Sequence, residues 1–415
     1  MNDAGQKVIW LVNKHAAPLK YYASHTRTVK LAEQFKRNGY EVYIVSASVV
    51  HNRNIDLIED GSDYVIKQWN GVDFIHIKTR PYKGNGLSRI LSFYEFVYKL
   101  RKYANQLPRP DVIIHSTNIP FDVGVRHIAK RLEAKYIVEV LDMWPENFAA
   151  YGMLKRDGLP MKILYYMEKL HYKRASKIVY SLEGWSQYVE EHGWDKSHGG
   201  VIDLSKTHYI NNGVDLAEFN RDRAMYSLDD EDLNNPELFK FVYVGSIRMV
   251  NQLQLLIDAA EQLMDEERAV FLIYGDGPDR QPLEQYCQDH NITNVKFKQK
   301  WIEPQYVPYV MCMANVNIMN YAQKERGYGY SQNKLFQSLA AGRPICCNRG
   351  ANWSPITKYK AGIDRDFGDA KIYAEQLKSF MLLSKEEYDE MCANALVAAA
   401  DFDYAKLTEQ YLRLI

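Results

Sequence analysis

The chain has 415 residues, room for two or three domains, and its 52 Lys and Arg balance its 52 Asp and Glu. That balance argues against a nucleic-acid partner, and no apolar run approaches membrane-spanning length. Five cysteines, odd in number and without metal-type spacing, point to a reducing compartment; Met1–Lys7 is polar and lacks signal-peptide features, so a cytoplasmic location is expected.

Val8-Ile9-Trp10-Leu11-Val12 is a continuous apolar run, the mark of a strand buried on both faces of a parallel sheet. A polar loop over 13–23 follows. Thr28–Arg37 then carries Val29, Leu31, Ala32 and Phe35 at helical spacing, Asn38-Gly39 ends it, and Val42–Val45 is the next strand. This is a βαβ unit. Strands at Asp111–His115, Lys135–Val140 and Lys177–Tyr180 continue the pattern, with long helical segments at Ser88–Leu107 and Pro160–Arg174. Around Gly193–Lys206 the chain turns polar. The alternation restarts with strands at Tyr209–Ile210, Phe239–Val244, Val270–Tyr274, Val295–Lys298 and Val316–Met319, and helices at Gln252–Met264, Pro278–His290 and Glu303–Met313. Ser384–Ile415 reads as helical. The fold class is α/β, with two doubly wound domains expected: 1–202, 203–395, and a helix over 396–415 that returns to the first.

The most informative stretch is Tyr328–Pro344. Ser331 reads as an N-cap, Leu335, Phe336, Leu339 and Ala340 form an apolar face, and Gly342 and Pro344 stop the helix before a buried strand Ile345-Cys346-Cys347. A glycine-bearing loop at a helix N-terminus is a ready anion site. Lys334 sits in the first turn, where a cation opposes the helix dipole. Either an anion binds there or the side chain simply points into water.

Other segments are weaker. Gly275-Asp276-Gly277-Pro278 is a turn between strand and helix whose glycines would let backbone approach a ligand, or a plain βα turn. Gly245-Ser246-Ile247-Arg248 ends a strand on a basic residue, either a phosphate ligand or a surface arginine. Asp142-Met143-Trp144-Pro145-Glu146 puts a carboxylate at a strand's carboxyl end, suited to a cleft or to capping a helix. Asn211-Asn212-Gly213 is a turn signal and reads as structural. No dinucleotide fingerprint follows the first strand, and neither a P-loop nor a nucleophile elbow is present.

Taken together these residues resemble the retaining glycosyltransferases of family four, with the GT-B fold. The resemblance covers essentially the whole chain and rests on Asp142–Glu146, Ser181–Gly184, Asn212–Asp215 with Phe219, Gly245–Arg248, Gly275–Pro278, and Asn333–Phe336 with Ala340–Pro344. It is nearest to bacterial enzymes that build O-antigen, capsule or exopolysaccharide. It implies two Rossmann-like domains facing each other across a cleft, a sugar nucleotide held by the C-terminal domain and a lipid-linked saccharide or glycan acceptor by the N-terminal one. No metal and no cofactor beyond the donor sugar nucleotide are expected.

The resemblance assigns catalysis to Asp142, Arg248 and Lys334. Substrate contacts fall to Trp144, Glu146, Gly245, Ser246, Gly275, Asp276, Gly277, Ser331, Asn333 and Gln337. The sequence departs from the family pattern in three places. Gly329 and Gln337 stand where the family carries paired glutamates, Ser246 stands where a basic residue follows Val-Gly, and Asp142 replaces a histidine found in many relatives. A sugar-nucleotide epimerase and a silent glycan-binding scaffold are the alternatives. Finally, Ile90, Leu91, Phe93, Phe96, Val97 and Leu100, flanked by Arg89, Lys99, Arg101 and Lys102, form an amphipathic segment. It either lies on an anionic inner membrane or packs on the N-terminal sheet.

Overall fold

The computed structural model describes residues 5–21, 26–51, 53, 55–84, 86–121, 123–150, 152–322 and 328–415. The predicted loop over 13–23 and the start of the chain fall partly outside them. Two compact units divide the chain: Met1–Asn211 with Leu407–Ile415, and Asn212–Lys406.

The first unit contains strands β1 (Val8–Val12), β2 (Glu41–Ala47), β3 (Tyr64–Trp69), β4 (Val72–Ile77), β5 (Val112–Ser116), β6 (Lys135–Val140), β7 (Lys177–Tyr180) and β8 (Thr207–Tyr209). They form one sheet in the order β3-β4-β2-β1-β5-β6-β7-β8. Every neighbouring pair is parallel except β3 with β4. All five residues of β1 are buried, as a strand central to a sheet covered on both faces requires. The β3–β4 hairpin is not foreseen in the sequence reading. It turns at Asn70-Gly71, both with positive φ, the chemistry of a tight two-residue turn.

β8 differs from the expected domain division. Thr207–Tyr209 pairs in parallel with Ile178–Tyr180, so the first sheet runs past residue 202 and the unit ends at Asn211. The polar run around 193–206 is therefore a connection inside the first unit, with two short 3-10 turns capped by Asp195 and Asp203.

The same unit is pinned by a buried ion pair. Arg27 Nε lies 2.9 Å from Glu139 Oε1, and Arg27 also donates to Ile210 O at 2.8 Å and to the Tyr411 hydroxyl at 2.9 Å. The Ser116 and Tyr411 hydroxyls donate to Glu139. Burial works against the Glu139 charge, but Arg27 and the two hydroxyls outweigh it and hold the carboxyl below its usual range.

The second unit contains β9 (Phe239–Val244), β10 (Ala269–Tyr274), β11 (Val295–Phe297), β12 (Val316–Met319), β13 (Ile345–Cys347) and β14 (Gly362–Asp364). They form an all-parallel sheet in the order β11-β10-β9-β12-β13-β14. From β9 the chain winds outward through β10 and β11, then crosses to β12 and winds the other way. The topological switch point thus lies between β9 and β12, and in open α/β sheets ligands bind at the carboxyl ends of the strands there. Among the described residues no helix is long and apolar enough to cross a membrane.

Candidate active site

Lys334 marks the switch point of the second sheet. It lies in the first turn of the helix Asn333–Ala340, whose Leu335, Phe336, Leu339 and Ala340 are buried. The helix ends before Gly342, at φ 62°, as Gly-x-Pro predicts. The N-cap is Gln332, not Ser331 as the sequence reading had it, and no side chain caps the helix. Gln332 instead receives the Tyr321 hydroxyl at 3.2 Å. Ser331 gives its carbonyl to the Asn212 amide, which ties Asn212 to this loop.

The Lys334 ammonium is held between two aromatic faces, 5.0 Å from the Tyr243 ring centre and 5.1 Å from that of Tyr321. Tyr243 is on β9 and Tyr321 follows β12, so the cation sits between the two strands that flank the switch point. Its one hydrogen bond among the described residues is long, 3.5 Å to Asn251 Oδ1. Among the described residues no carboxylate pairs with it. Burial pushes its pKa down to about 8. A half-buried lysine without a counter-ion is costly unless a ligand supplies the negative charge.

The loop after β9 is built to present this group. Asn251 donates to Ser246 O at 2.7 Å and to Ser246 Oγ at 3.1 Å. The Tyr243 hydroxyl donates to Ser246 O at 2.8 Å. The loop after β12 is tied to it in turn, with Asn320 donating to Gln252 O at 2.9 Å and the Ala322 amide to Val250 O at 2.9 Å. Tyr243, Asn251 and Tyr321 were missed by sequence reasoning. Two are tyrosines among 31, and Asn251 lies in a 3-10 turn with no periodicity, so none carries a signal of its own.

Arg248 lies on the same turn and is exposed, its side chain making no hydrogen bond or ion pair among the described residues. Asn333 and Gln337 are half-buried, and their side chains likewise make no hydrogen bond among the described residues. Gly275 and Gly277 acquire a packing reason. A Cβ on Gly275 would fall inside contact distance of Gly245 O, and one on Gly277 inside that of Ile247 O. The turn after β10 thus lies backbone to backbone against the turn after β9, with Ile247 N–H donating to Asp276 O at 2.9 Å. The Asp276 side chain is exposed. The helix expected from Pro278 begins at Arg280, with Asp279 at the N-cap position.

In the first unit, Asp142 follows β6 and is exposed at the carboxyl end of the sheet. Trp144 is half-buried, its ring 4.7 Å from Phe148 in an edge-to-face contact. Glu146 departs from its expected part in substrate contact. It is buried, ion-paired with Arg156, and accepts the Tyr165 hydroxyl, so its oxygens are already used in holding this segment together.

Two Rossmann-like units of this topology, with a cation at the switch point of the second, define a GT-B glycosyltransferase architecture. Residues 23–203 match the family described as Glycosyl transferase 4-like domain, and residues 239–381 match Glycosyl transferases group 1. Both parts of the chain thus belong to glycosyltransferase domain families. It is similar to the probable glycosyltransferase WbjE of Pseudomonas aeruginosa, 22% identical over 280 residues. That match spans 65% of this chain and 65% of WbjE, so less than two thirds of the relative's length is covered. Among solved structures, sucrose-phosphate synthase from Thermosynechococcus elongatus superposes with a TM-score of 0.69 at 15% identity, covering 99% of this chain and 98% of that one. Alr3699/HepE from Anabaena, solved with UDP and glucose, gives 0.64 at 15% identity, covering 99% of each. At such identities these likenesses show the fold.

Proposed function

We propose that the protein is a retaining glycosyltransferase, moving a sugar from a nucleotide diphosphate sugar to a lipid-linked or glycan acceptor in bacterial surface polysaccharide synthesis. The observation that carries the reading is Lys334, a cation with no carboxylate partner among the described residues, at the switch point of the second sheet and on a helix N-terminus with no side-chain cap. A diphosphate supplies negative charge to face this cation. The UDP and glucose in the Anabaena structure support the same class of donor, and the likeness to the probable glycosyltransferase WbjE supports glycosyl transfer. Retention and independence of metal follow from the family resemblance.

Departure of the nucleoside diphosphate develops negative charge on its leaving oxygen. Preorganised cations and backbone N–H groups stabilise such charge without reorganising. Lys334 supplies one cation and the exposed Arg248 a second. The first-turn amides of Asn333–Ala340 supply the dipole end, and Asn333 and Ser331 polar contacts. Gln337 stands one turn further along the same helix, within reach of the donor's hydroxyls, and Gly245, Ser246 and Gly275–Gly277 border the nucleotide. Asp142 orients the sugar or the acceptor hydroxyl. The test is a thermal-shift screen with UDP, GDP, ADP and CMP and their sugars. Ligand at about a hundredfold over Kd adds roughly 2.7 kcal/mol. One nucleotide series should raise the melting temperature and its sugar should be slowly hydrolysed without acceptor. No shift with any nucleotide would sink the reading.

A further inference from the structure

We infer that the helix Leu159–Arg174 is latched by a proton on Glu168, a buried carboxyl outside the site described above, and that loss of this proton releases the helix. Helices in globular proteins are held mainly by an apolar face. Here much of that face is polar. The buried residues of the helix are Met161, Glu168, His171 and Tyr172, and only Met161 lacks an ionisable group. Its apolar Leu159, Ile163 and Tyr166 are exposed instead.

Glu168 is 1% exposed. Each of its oxygens accepts a hydroxyl, Oε1 from Tyr172 at 2.7 Å and Oε2 from Tyr188 at 2.8 Å. Tyr188 lies on the next helix, Trp185–Glu191, so the carboxyl joins two helices. Among the described residues no lysine, arginine or histidine forms an ion pair with it. A buried carboxylate is costly without a cation, and two hydroxyls offset only part of that cost. The surroundings add no relief. Glu146, in the segment after β6, is a like charge, and Arg156 is committed to it. Tyr165 also gives its hydroxyl to Glu146, and the His192 ring packs on Tyr165 and Tyr188. On the sheet side, the Tyr136 hydroxyl lies 3.4 Å from His171 Nε2 and 2.8 Å from His115 Nδ1. Lys206 reaches main-chain carbonyls at the end of the helix, Tyr172 O among them at 2.8 Å. Burial therefore pushes the Glu168 carboxyl up to about 8, with Glu146 adding to the rise and the two hydroxyls opposing it. A neutral acid suits the geometry, since its O–H can donate to one tyrosine oxygen while its carbonyl accepts from the other.

An opened helix exposes Glu168 to water, where its carboxyl returns to the ordinary value of 4.5. The closed state holds the extra proton between that value and about 8. Rising pH across this window therefore favours opening by about tenfold per unit, and the effect levels off above it. Opening also withdraws Tyr165 from Glu146, so the latch bears on the segment that carries Asp142.

Hydrogen exchange of the full chain from about pH 6 to 9, corrected for base catalysis and read on peptides of this helix, tests the latch in wild type, Glu168→Gln and Tyr188→Phe. Wild type should open about tenfold more per pH unit up to about pH 8 and then level. Glu168→Gln, whose amide copies the neutral acid, should stay closed without that slope. Tyr188→Phe removes a donor that favours the charged form, so its levelling point should move to higher pH. Infrared difference spectra at neutral pH should show the carbonyl stretch of a protonated carboxyl in wild type and not in Glu168→Gln. The same slope in Glu168→Gln, or a levelling point that Tyr188→Phe leaves in place, would assign the pH dependence to another group and overturn the latch. A Glu168→Gln chain that is unfolded or open at every pH would overturn it too, because the charged carboxylate would then be what holds the helix.

Discussion

Lys334 Nζ stands 3.5 Å from Asn251 Oδ1, over the faces of Tyr243 and Tyr321, with no carboxylate paired to it among the described residues. Such a group is expensive without ligand and valuable with it. Lys334→Met should therefore stabilise the ligand-free protein by about 1 kcal/mol, which raises its melting temperature by on the order of 2–4 °C. The same change should slow transfer by roughly two orders of magnitude, the scale of one lost electrostatic contact in a closed site. A stability scan beside a turnover assay reads both. A variant that loses stability and keeps activity would show the lysine to be structural.

The same residue sets a pH dependence. Its folded pKa, about 8, lies below the ordinary lysine value because burial disfavours the charge. The ligand-free site is charged below pH 8 and neutral above it. An anion restores the charge, so binding above pH 8 must take up a proton. Nucleoside diphosphate affinity should fall as pH rises from 8 toward 10, and Lys334→Met should flatten that fall. Affinity constant across this range in wild type would rule out Lys334 as the ligand's cation.

Asp142 and Glu146, four residues apart, should separate cleanly. Asp142 is exposed, whereas Glu146 is buried on Arg156 and Tyr165. Asp142→Asn should lower turnover with little change in donor affinity or melting temperature. Glu146→Gln should lower the melting temperature, since it leaves the Arg156 charge without its partner. If the two variants exchange these phenotypes, the assignment at the end of β6 is inverted.

Most of the alternation of strand and helix was legible because parallel strands buried on both faces are continuous apolar runs. Val8–Val12, Phe239–Val244 and Val316–Met319 stand in the structure as the sequence delimits them. What escaped was tertiary. β3 reads Tyr64-Val-Ile-Lys-Gln-Trp69, an edge strand with a polar centre that imitates a loop, although Asn70-Gly71 beside it was a usable turn signal. β8 has three residues, too few to say which sheet it joins. At the site, Lys334 could be singled out from its place in the first turn, but the ring pair that holds it comes from residues 91 and 13 positions away. The glycines of 275–277 read as ligand-facing or as a plain turn, and only the neighbouring turn shows that packing against Gly245 and Ile247 already requires them.

The Arg27–Glu139 pair carries a stability prediction for the first unit. Arg27→Met leaves Glu139 buried with hydroxyl donors alone. Removing one partner of a buried pair typically costs about 3–5 kcal/mol. The first unit of Arg27→Met should unfold at markedly lower denaturant, with a smaller loss for Tyr411→Phe, which removes one donor and leaves the ion pair. Equal losses in the two would mean that the hydroxyl, not the charge, holds the C-terminal residues.

The last prediction concerns a membrane surface and begins with a correction. The apolar face expected on the segment 86–107 divides in two on the helix Leu87–Tyr103. Phe93, Phe96 and Leu100 are buried, whereas Leu87, Leu91, Tyr94 and Tyr98 form an exposed stripe at intervals of four, three and four. The helix Leu159–Arg174, in the same unit, exposes Leu159, Ile163 and Tyr166 at the same kind of interval, beside exposed Lys162, Lys173 and Arg174. Part of the expected basic charge is spent locally, since Lys99 pairs with Asp63 and Glu95, and Lys102 lies 3.6 Å from Asp63. Apolar insertion must then contribute more than lipid charge, each free basic residue adding about 1 kcal/mol near an anionic surface. Flotation with anionic and neutral vesicles should show binding to the anionic ones that weakens with salt. It should weaken moderately in Arg101→Glu and strongly when Leu91 and Tyr98 both become Ser. Absence of binding to either vesicle at low salt would leave both stripes as ordinary exposed side chains.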